Sequence, residues 1–398
     1  MLTRTPAAAG PDDTQFARRV ALLALGSFSL GLDAYVMAGL LPSITTEFSV
    51  ALPIAGQVVT VFTVCYAVAA PLFATLLPGI RASVVLGIAL AVFSAGNAAS
   101  AMATSLPLLL AARAVAGMGA GLYSPFAAAS AAALAPPHRR GRSLAIVLGG
   151  MSLGTVLGVP AGLLLADRAG WRATMVLVTL LGLVALAGVL WKLPDIAAPP
   201  PPSARQRLKG LRDARVATIV GVSFLAAVSS LGLYTYLVPI LAVAGRGGRE
   251  VPYLLAWGAG GVIGSFSVGW VLDRVGRPFA LVVVIMATIT ISMLLLAWLR
   301  GTDWLLLLPL TAWGAAGWSL QVPQQHELLA SRPDLGPVTV ALNGSALYLG
   351  SAIGAALGGL ALFEGLDIGS LPLCAAAVAA AGLLLHCLAV GRRSAVWP

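Results

Sequence analysis

The residues of this 398-residue chain that could do chemistry are few, and two of them stand where charge is expensive. Asp33 and Arg113 each interrupt a long apolar run. A charge at that depth in a bilayer costs at least about 2.5–3.5 kcal/mol on insertion scales. Asp33 lies nine residues before Pro42, and Arg113 some seven residues into a run of its own. With one run leaving the cell interior and the other entering it, the two charges differ in depth by only roughly 3 Å. Burial favours a neutral acid and a nearby guanidinium favours the carboxylate, and a balance between the two suits a group that takes up and releases protons. Two readings fit the pair: coupling of protons or substrate to movement, or a static ion pair locking one helix against another. Asp33 alone also suits the orientation of a polar substrate.

Uncharged candidates for substrate contact are aromatic and amide side chains within the apolar runs: Tyr35, Tyr66, Tyr123, Tyr234, Tyr236, Gln321, Gln324 and Asn343. Apolar cavities with a few polar groups bind amphipathic small molecules, although aromatics in such runs also serve as interfacial anchors. The three histidines, His138, His326 and His386, are scattered, and Cys65, Cys374 and Cys387 show no paired spacing. We therefore expect no catalytic centre, no metal, no cofactor and no disulfide.

The elements that must hold these residues are membrane helices. Apolar residues make up 59% of the chain and charged ones 10%, well below the roughly 25% charged that a water-soluble chain carries. Spans of about 20 mostly apolar residues, enough to cross a bilayer, fall near 18–42, 53–78, 82–104, 106–135, 142–167, 171–193, 215–243, 251–273, 277–300, 302–330, 337–364 and 368–391. They are too long and unbroken for barrel strands. The expected fold is an all-α membrane protein of twelve transmembrane helices. The formal charge of +10 raises the question of nucleic acid. With the N-terminus inside, eighteen of the Lys and Arg residues fall on cytoplasmic segments and five on outer ones. That bias fixes topology, with both termini cytoplasmic, and needs no nucleic-acid partner.

Residues 1–17 are expected to be a disordered cytoplasmic N-terminus, 18–193 and 215–391 two six-helix bundles, 194–214 a cytoplasmic linker, and 392–398 a tail. The linker holds Pro199 to Pro202, extended and semi-rigid, then Arg205, Arg207, Lys209 and Arg212. The basic part reads either as a short amphipathic helix on the anionic inner leaflet or as a solvated tether.

Internal repetition supports two similar halves. The ten residues from Leu153 match those from Leu349 at an offset of 196, aligning Gly154 with Gly350, Gly158 with Gly354 and Gly162 with Gly358. Gly150, Gly154, Gly158 and Gly162 recur every four residues, so one helix face is bare and a neighbouring backbone can approach it. Pro160 adds a weak point, and the later copy suggests a symmetric seam between the halves. Gly269, Asp273, Arg274, Gly276 and Arg277, at the junction of the eighth and ninth spans, read as an Asp near a helix N-terminus with two Arg beside it. That cluster is either a latch for an inner gate or a solvated turn.

These residues together resemble the major facilitator superfamily, and within it the bacterial arabinose-efflux and chloramphenicol-resistance-like branch of twelve-helix exporters. Gly31 to Pro42 around Asp33 resembles that branch's acidic signature. Arg113 with Gly117, Gly119 and Gly121 is similar to the helix 4 motif whose Arg is linked to proton coupling. Gly154, Gly158, Pro160 and Gly162, followed by Gly170, Trp171 and Arg172, resemble the antiporter motif of helix 5, and Ala341 to Gly359 the branch's helix 11. Asp273, Arg274, Gly276 and Arg277 are similar to the cytoplasmic loop motif. The first-half copy of that loop departs from the pattern, with Pro78 and Gly79 in place of the Asp and first Arg before Arg81. The resemblance implies a major facilitator fold of two pseudo-symmetric bundles in the bacterial inner membrane. It implies export of a drug, antibiotic or sugar-like metabolite by proton antiport and alternating access. The expected partners are a small-molecule substrate, protons and the lipid bilayer, and the expected state is a monomer. Import by a proton symporter or facilitator is the alternative, and a non-transporting receptor or scaffold is a third.

Overall fold

The computed structural model describes residues 11–76, 80–136, 139–194, 202, 204–299, 304–332 and 335–394. α1 is Pro11–Phe48, α2 is Leu52–Ala55 continued by Gln57–Leu76, α3 is Ala82–Ala101 and α4 is Leu106–Leu134. α5 joins Arg140–Leu153 to Val159–Ala169 through a π turn at Gly154–Gly158, and α6 is Trp171–Lys192. A short linker helix, Ala204–Gly210, leads to α7, made of Ala214–Thr235, Leu237–Leu241 and a π turn at Ala242–Arg246. α8 is Val251–Val275, α9 is Pro278–Trp298, α10 is Leu307–Ser319 with Gln321–Ser331, α11 is Gly336–Phe363 and α12 is Leu371–Ser394. Among the described residues there is no strand.

Among the described residues, eleven helices are long and apolar enough to cross a membrane. The tenth expected span falls short because it breaks at Leu320 and continues through Gln321, Pro323, Gln324, Gln325, His326 and Glu327. Proline has no N–H, and its ring clashes with the carbonyl four residues earlier. For Pro323 that residue is Ser319, the last of its segment, and for Pro239 it is Thr235, where the long part of α7 ends. For Pro160 it is Val156, inside the π turn of α5. One rule thus places three irregularities along the chain.

Packing follows the repeat. In the first half α1 packs on α5 and α6, α2 on α4, and α3 on α4 and α6. In the second half α7 packs on α11 and α12, α8 on α10, and α9 on α10 and α12, which is the same scheme six helices on. The halves meet through α2 with α11, α5 with α8, and α1 with α7.

The glycine seam was expected between the halves, and here the structure corrects the reading. A Cβ on Gly150 or Gly154 would lie 2.3 or 2.0 Å from the carbonyl oxygens of Ala24 or Phe28 on α1. On Gly350 or Gly354 it would lie 2.6 or 2.2 Å from those of Phe224 or Val228 on α7. Each seam therefore closes within its own half, because first and fifth helices pack backbone to backbone. The opposite face of α5 makes the contact across halves, with Val156 against Gly258 of α8.

One boundary also moves. α1 begins at Pro11, inside the segment expected to be disordered, and proline is favoured in a first turn, where its missing N–H has no partner to lose. The expected Pro199–Pro202 run lies, except for Pro202, outside the described residues. The basic part of the linker is neither a free tether nor fully on the surface. Arg207 is buried, its Nε donating to the Pro202 carbonyl (3.0 Å) and its Nη1 to the Ala341 carbonyl of α11 (2.9 Å) and to Ser345. Burial pushes the Arg207 guanidinium down to about 10.

Candidate functional site

Asp33 of α1, Asn97 of α3 and Arg113 of α4 converge in the core of the first half, each no more than 1% exposed. Arg113 Nη1 donates to Asp33 Oδ1 at 2.7 Å and to Asn97 Oδ1 at 3.1 Å, and Asn97 Nδ2 donates to Asp33 Oδ2 at 3.2 Å. Glycines let α4 come close to α3 and to α2 here. A Cβ on Gly96 would lie 2.4 Å from the Ala116 nitrogen, and one on Gly117 2.3 Å from the Phe62 carbonyl of α2. The Phe62 ring lies 4.3 Å from the Arg113 guanidinium carbon, so its π face adds to the charge's stabilisation. Arg113 Nε finds no hydrogen-bond partner among the described residues. Desolvating two charges is offset only by close geometry and further hydrogen bonds. Asn97 supplies those bonds to both partners at once.

A second group lies where the halves meet. Tyr35 of α1 reaches the other half, its ring 5.4 Å from that of Tyr234, 5.9 Å from Trp257 and 6.0 Å from Trp318. Trp257 also contacts Tyr234 at 4.4 Å and Trp313 at 5.9 Å, and Trp313 donates to Ser230. Tyr66 of α2 stacks on Tyr348 of α11 at 3.7 Å. Asn343 donates to the Gln321 carbonyl oxygen at 2.9 Å, and Gln324 is buried one turn further along α10.

Two of the expected substrate contacts are engaged elsewhere. The Tyr123 hydroxyl donates to the Leu23 carbonyl at 2.9 Å and braces α4 on α1. The Tyr236 hydroxyl donates to the Ala355 carbonyl at 2.7 Å and braces α7 on α11.

The loop motif is also placed differently from the expectation. Asp273 stands in the last turn of α8, not near the N-terminus of α9, and a helix C-terminus is unfavourable for a carboxylate. Asp273, Arg274 and Arg277 are exposed, no ion pair of Asp273 occurs among the described residues, and Arg274 instead lies over the Trp270 ring. Gly276 caps α8 at φ +62°, a conformation that favours glycine. Gly269 is on α8 with open space around it. In the first-half copy, Pro78 and Gly79 lie outside the described residues.

A sequence model of the Major Facilitator Superfamily matches residues 23–355. The chain belongs to the Major Facilitator Superfamily. It is 28% identical over 369 residues to the inner membrane transport protein YdhP of Escherichia coli (strain K12), covering 91% of this chain and 93% of that one. It is 35% identical over 264 residues to a chloramphenicol resistance protein of Streptomyces lividans, covering 65% and 67%. Its backbone matches the xylose transporter XylE of E. coli in a partially occluded inward-open conformation, with a TM-score of 0.74 at 16% identity over 93% and 97% of the chains. That likeness shows the fold. The protein is a multi-pass membrane transporter whose solvent is the bilayer and whose cargo is a small molecule.

Within this superfamily member, sequence reasoning missed Asn97, Trp257 and Trp318. Asn97 is one polar residue in a run of Ala, Gly and Ser, and only its neighbours reveal its role. Trp318 lies three residues before Gln321, on the other side of the break in α10. Glu47 was also passed over. It pairs with Arg172 and accepts from the Trp171 indole, while Arg172 donates to the Ala103 carbonyl at 2.6 Å. The Trp171–Arg172 element thus ties the end of α1 to the start of α6 and the turn after α3.

Proposed function

We propose that this transporter exports a small amphipathic molecule, of drug, antibiotic or sugar-like class, in exchange for protons by alternating access. It works as a monomer in the bacterial cytoplasmic membrane with both termini inside. The observation that carries the reading is the buried Asp33–Asn97–Arg113 network. A proton reaching Asp33 cancels its charge and releases Arg113 Nη1, so α1 and α4 lose their strongest tie until the proton leaves. Asp33 and Tyr35 are two residues apart on α1, about 200° around the helix. One face of α1 therefore carries the proton site and the other meets the second half. Export as the direction is supported by the resemblance of the α5 glycine segment to the antiporter motif and by the likeness to a chloramphenicol resistance protein.

The test is drug susceptibility in a pump-deficient bacterial host producing, at matched membrane levels, the wild-type chain or Asp33→Asn. Resistance to at least one compound is expected from the wild type and none from the variant. Resistance that survives Asp33→Asn overturns the proton assignment, and no resistance to any compound overturns export.

A further inference from the structure

The second half holds buried polar atoms that its own fold leaves unsatisfied. Trp257 Nε1, Gln321 Nε2, Gln324 Nε2 and Asn343 Oδ1 have no hydrogen-bond partner among the described residues. Trp257, Gln324 and Asn343 are each no more than 2% exposed. A buried polar group without a partner is costly, so four in one half call for an explanation outside the fold. They are contiguous. Trp257 touches Trp318, Gln321 follows three residues on, just past the break in α10, and accepts from Asn343, and Gln324 lies one turn further.

Three of the four atoms are donors, and they lie beside the aromatic wall of Tyr35, Trp257 and Trp318. Six residues separate Trp318 from Gln324, across the break in α10. Carboxylates that could balance a cation are committed elsewhere: Asp33 to Arg113 and Asn97, and Glu327 to Arg215 at 2.9 Å. From these atoms we infer that the cargo site is built by α8, α10 and α11 with Tyr35, and that it takes a neutral, flat aromatic molecule. That molecule carries at least two hydrogen-bond-accepting groups and one donor. Its ring lies against Trp257 and Trp318, its acceptors face Gln321 and Gln324, and its donor meets Asn343. This specifies the substrate class of the exporter proposed above and rests on that reading.

The test is calorimetric titration of the purified full chain in lipid nanodiscs. The probes are three neutral acceptor-bearing aromatics (chloramphenicol, 4-nitrobenzamide and 4-hydroxybenzamide) and the lipophilic cation tetraphenylphosphonium. At least one neutral probe is expected to bind more tightly than the cation. Gln324→Leu is expected to weaken that neutral probe about tenfold, the worth of one hydrogen bond, without lowering the unfolding temperature, since the Gln324 Nε2 donor has no partner to lose. Trp257→Phe, which keeps a ring and removes the indole donor, is expected to weaken the same probe and serves if the first variant fails to fold. The inference is overturned if no neutral probe binds, if the cation binds more tightly, or if neither variant changes the affinity. Asp33→Asn separates the two proposals. Export that survives Asp33→Asn is a failure of proton coupling, whereas neutral-probe affinity that survives both Gln324→Leu and Trp257→Phe is a failure of this site.

Discussion

Removing the buried charges of Asp33 and Arg113 together should restore stability without restoring transport. In Asp33→Asn the Arg113 guanidinium stays 1% exposed with only neutral partners. Breaking a buried pair from one side costs about 3–5 kcal/mol. The Phe62 face lies against the guanidinium in wild type and variant alike and cancels from the difference, so the loss stays at about 3–5 kcal/mol. Adding Arg113→Gln removes the stranded charge and leaves three amides that can share hydrogen bonds, so the double variant should lie within about 1 kcal/mol of wild type. The assays are the unfolding temperature by intrinsic fluorescence and pH-driven exchange in proteoliposomes. The single variant should be less stable and inactive, the double variant stable and inactive. A double variant that recovers both would refute proton coupling and make the pair a lock between helices. A single variant as stable as wild type would refute the burial argument itself.

Three further outcomes follow from the packing and the charges. Gly154→Val should abolish folded protein, measured as monodisperse yield on size exclusion, whereas Gly149→Ala, with nothing within 4 Å of its Cβ, should leave the yield unchanged. Asn97→Leu strips both Asp33 and Arg113 of a shared partner and should lower stability by about 1–3 kcal/mol, read as unfolding temperature. At the start of α7, partial burial opposes ionisation of Asp213, but hydrogen bonds from the Val216 and Arg215 amides and from Arg332 outweigh it and hold its carboxyl below the usual carboxylate range. Its contribution is therefore full above about pH 4, the unfolded value, and is lost as pH falls through the lower folded value. Asp213→Ala should cost about 1 kcal/mol at neutral pH as a lost helix cap, with the gap to wild type narrowing in acid unfolding scans.

How much of this was legible in the residues depended on whether each residue's role is local. The spans were legible because length and apolarity are properties of a segment alone. Asp33 and Arg113 were legible because a charge in such a span has few uses. Their contact at 2.7 Å agrees with the small difference in depth, roughly 3 Å, read from helical rise. Asn97 was not, since a neutral amide among small residues carries no signal until two charges are placed beside it. Tyr123 and Tyr236 misled because a tyrosine in a span serves equally as cavity wall or as brace, and the choice is made by a carbonyl on another helix. The glycine period correctly announced a bare helix face but not which helix it meets. The break in α10 lies at Pro323, but Pro42, Pro71 and Pro125 sit inside unbroken helices, so the position of a proline does not by itself locate a break.

The seams of α1 with α5 and of α7 with α11 bear on how the molecule can move. Where a helix lies directly on the carbonyl oxygens of its neighbour, no side chain stands between them to change rotamer and absorb displacement. Such a joint is nearly incompressible. Bending within a half is therefore opposed at its spine. The softer joints are those between halves, at Tyr35 against Tyr234, Tyr66 against Tyr348 and Val156 against Gly258, where side chains can rearrange. The glycines thus make each bundle a stiff lever, and the aromatic contacts are its bearing.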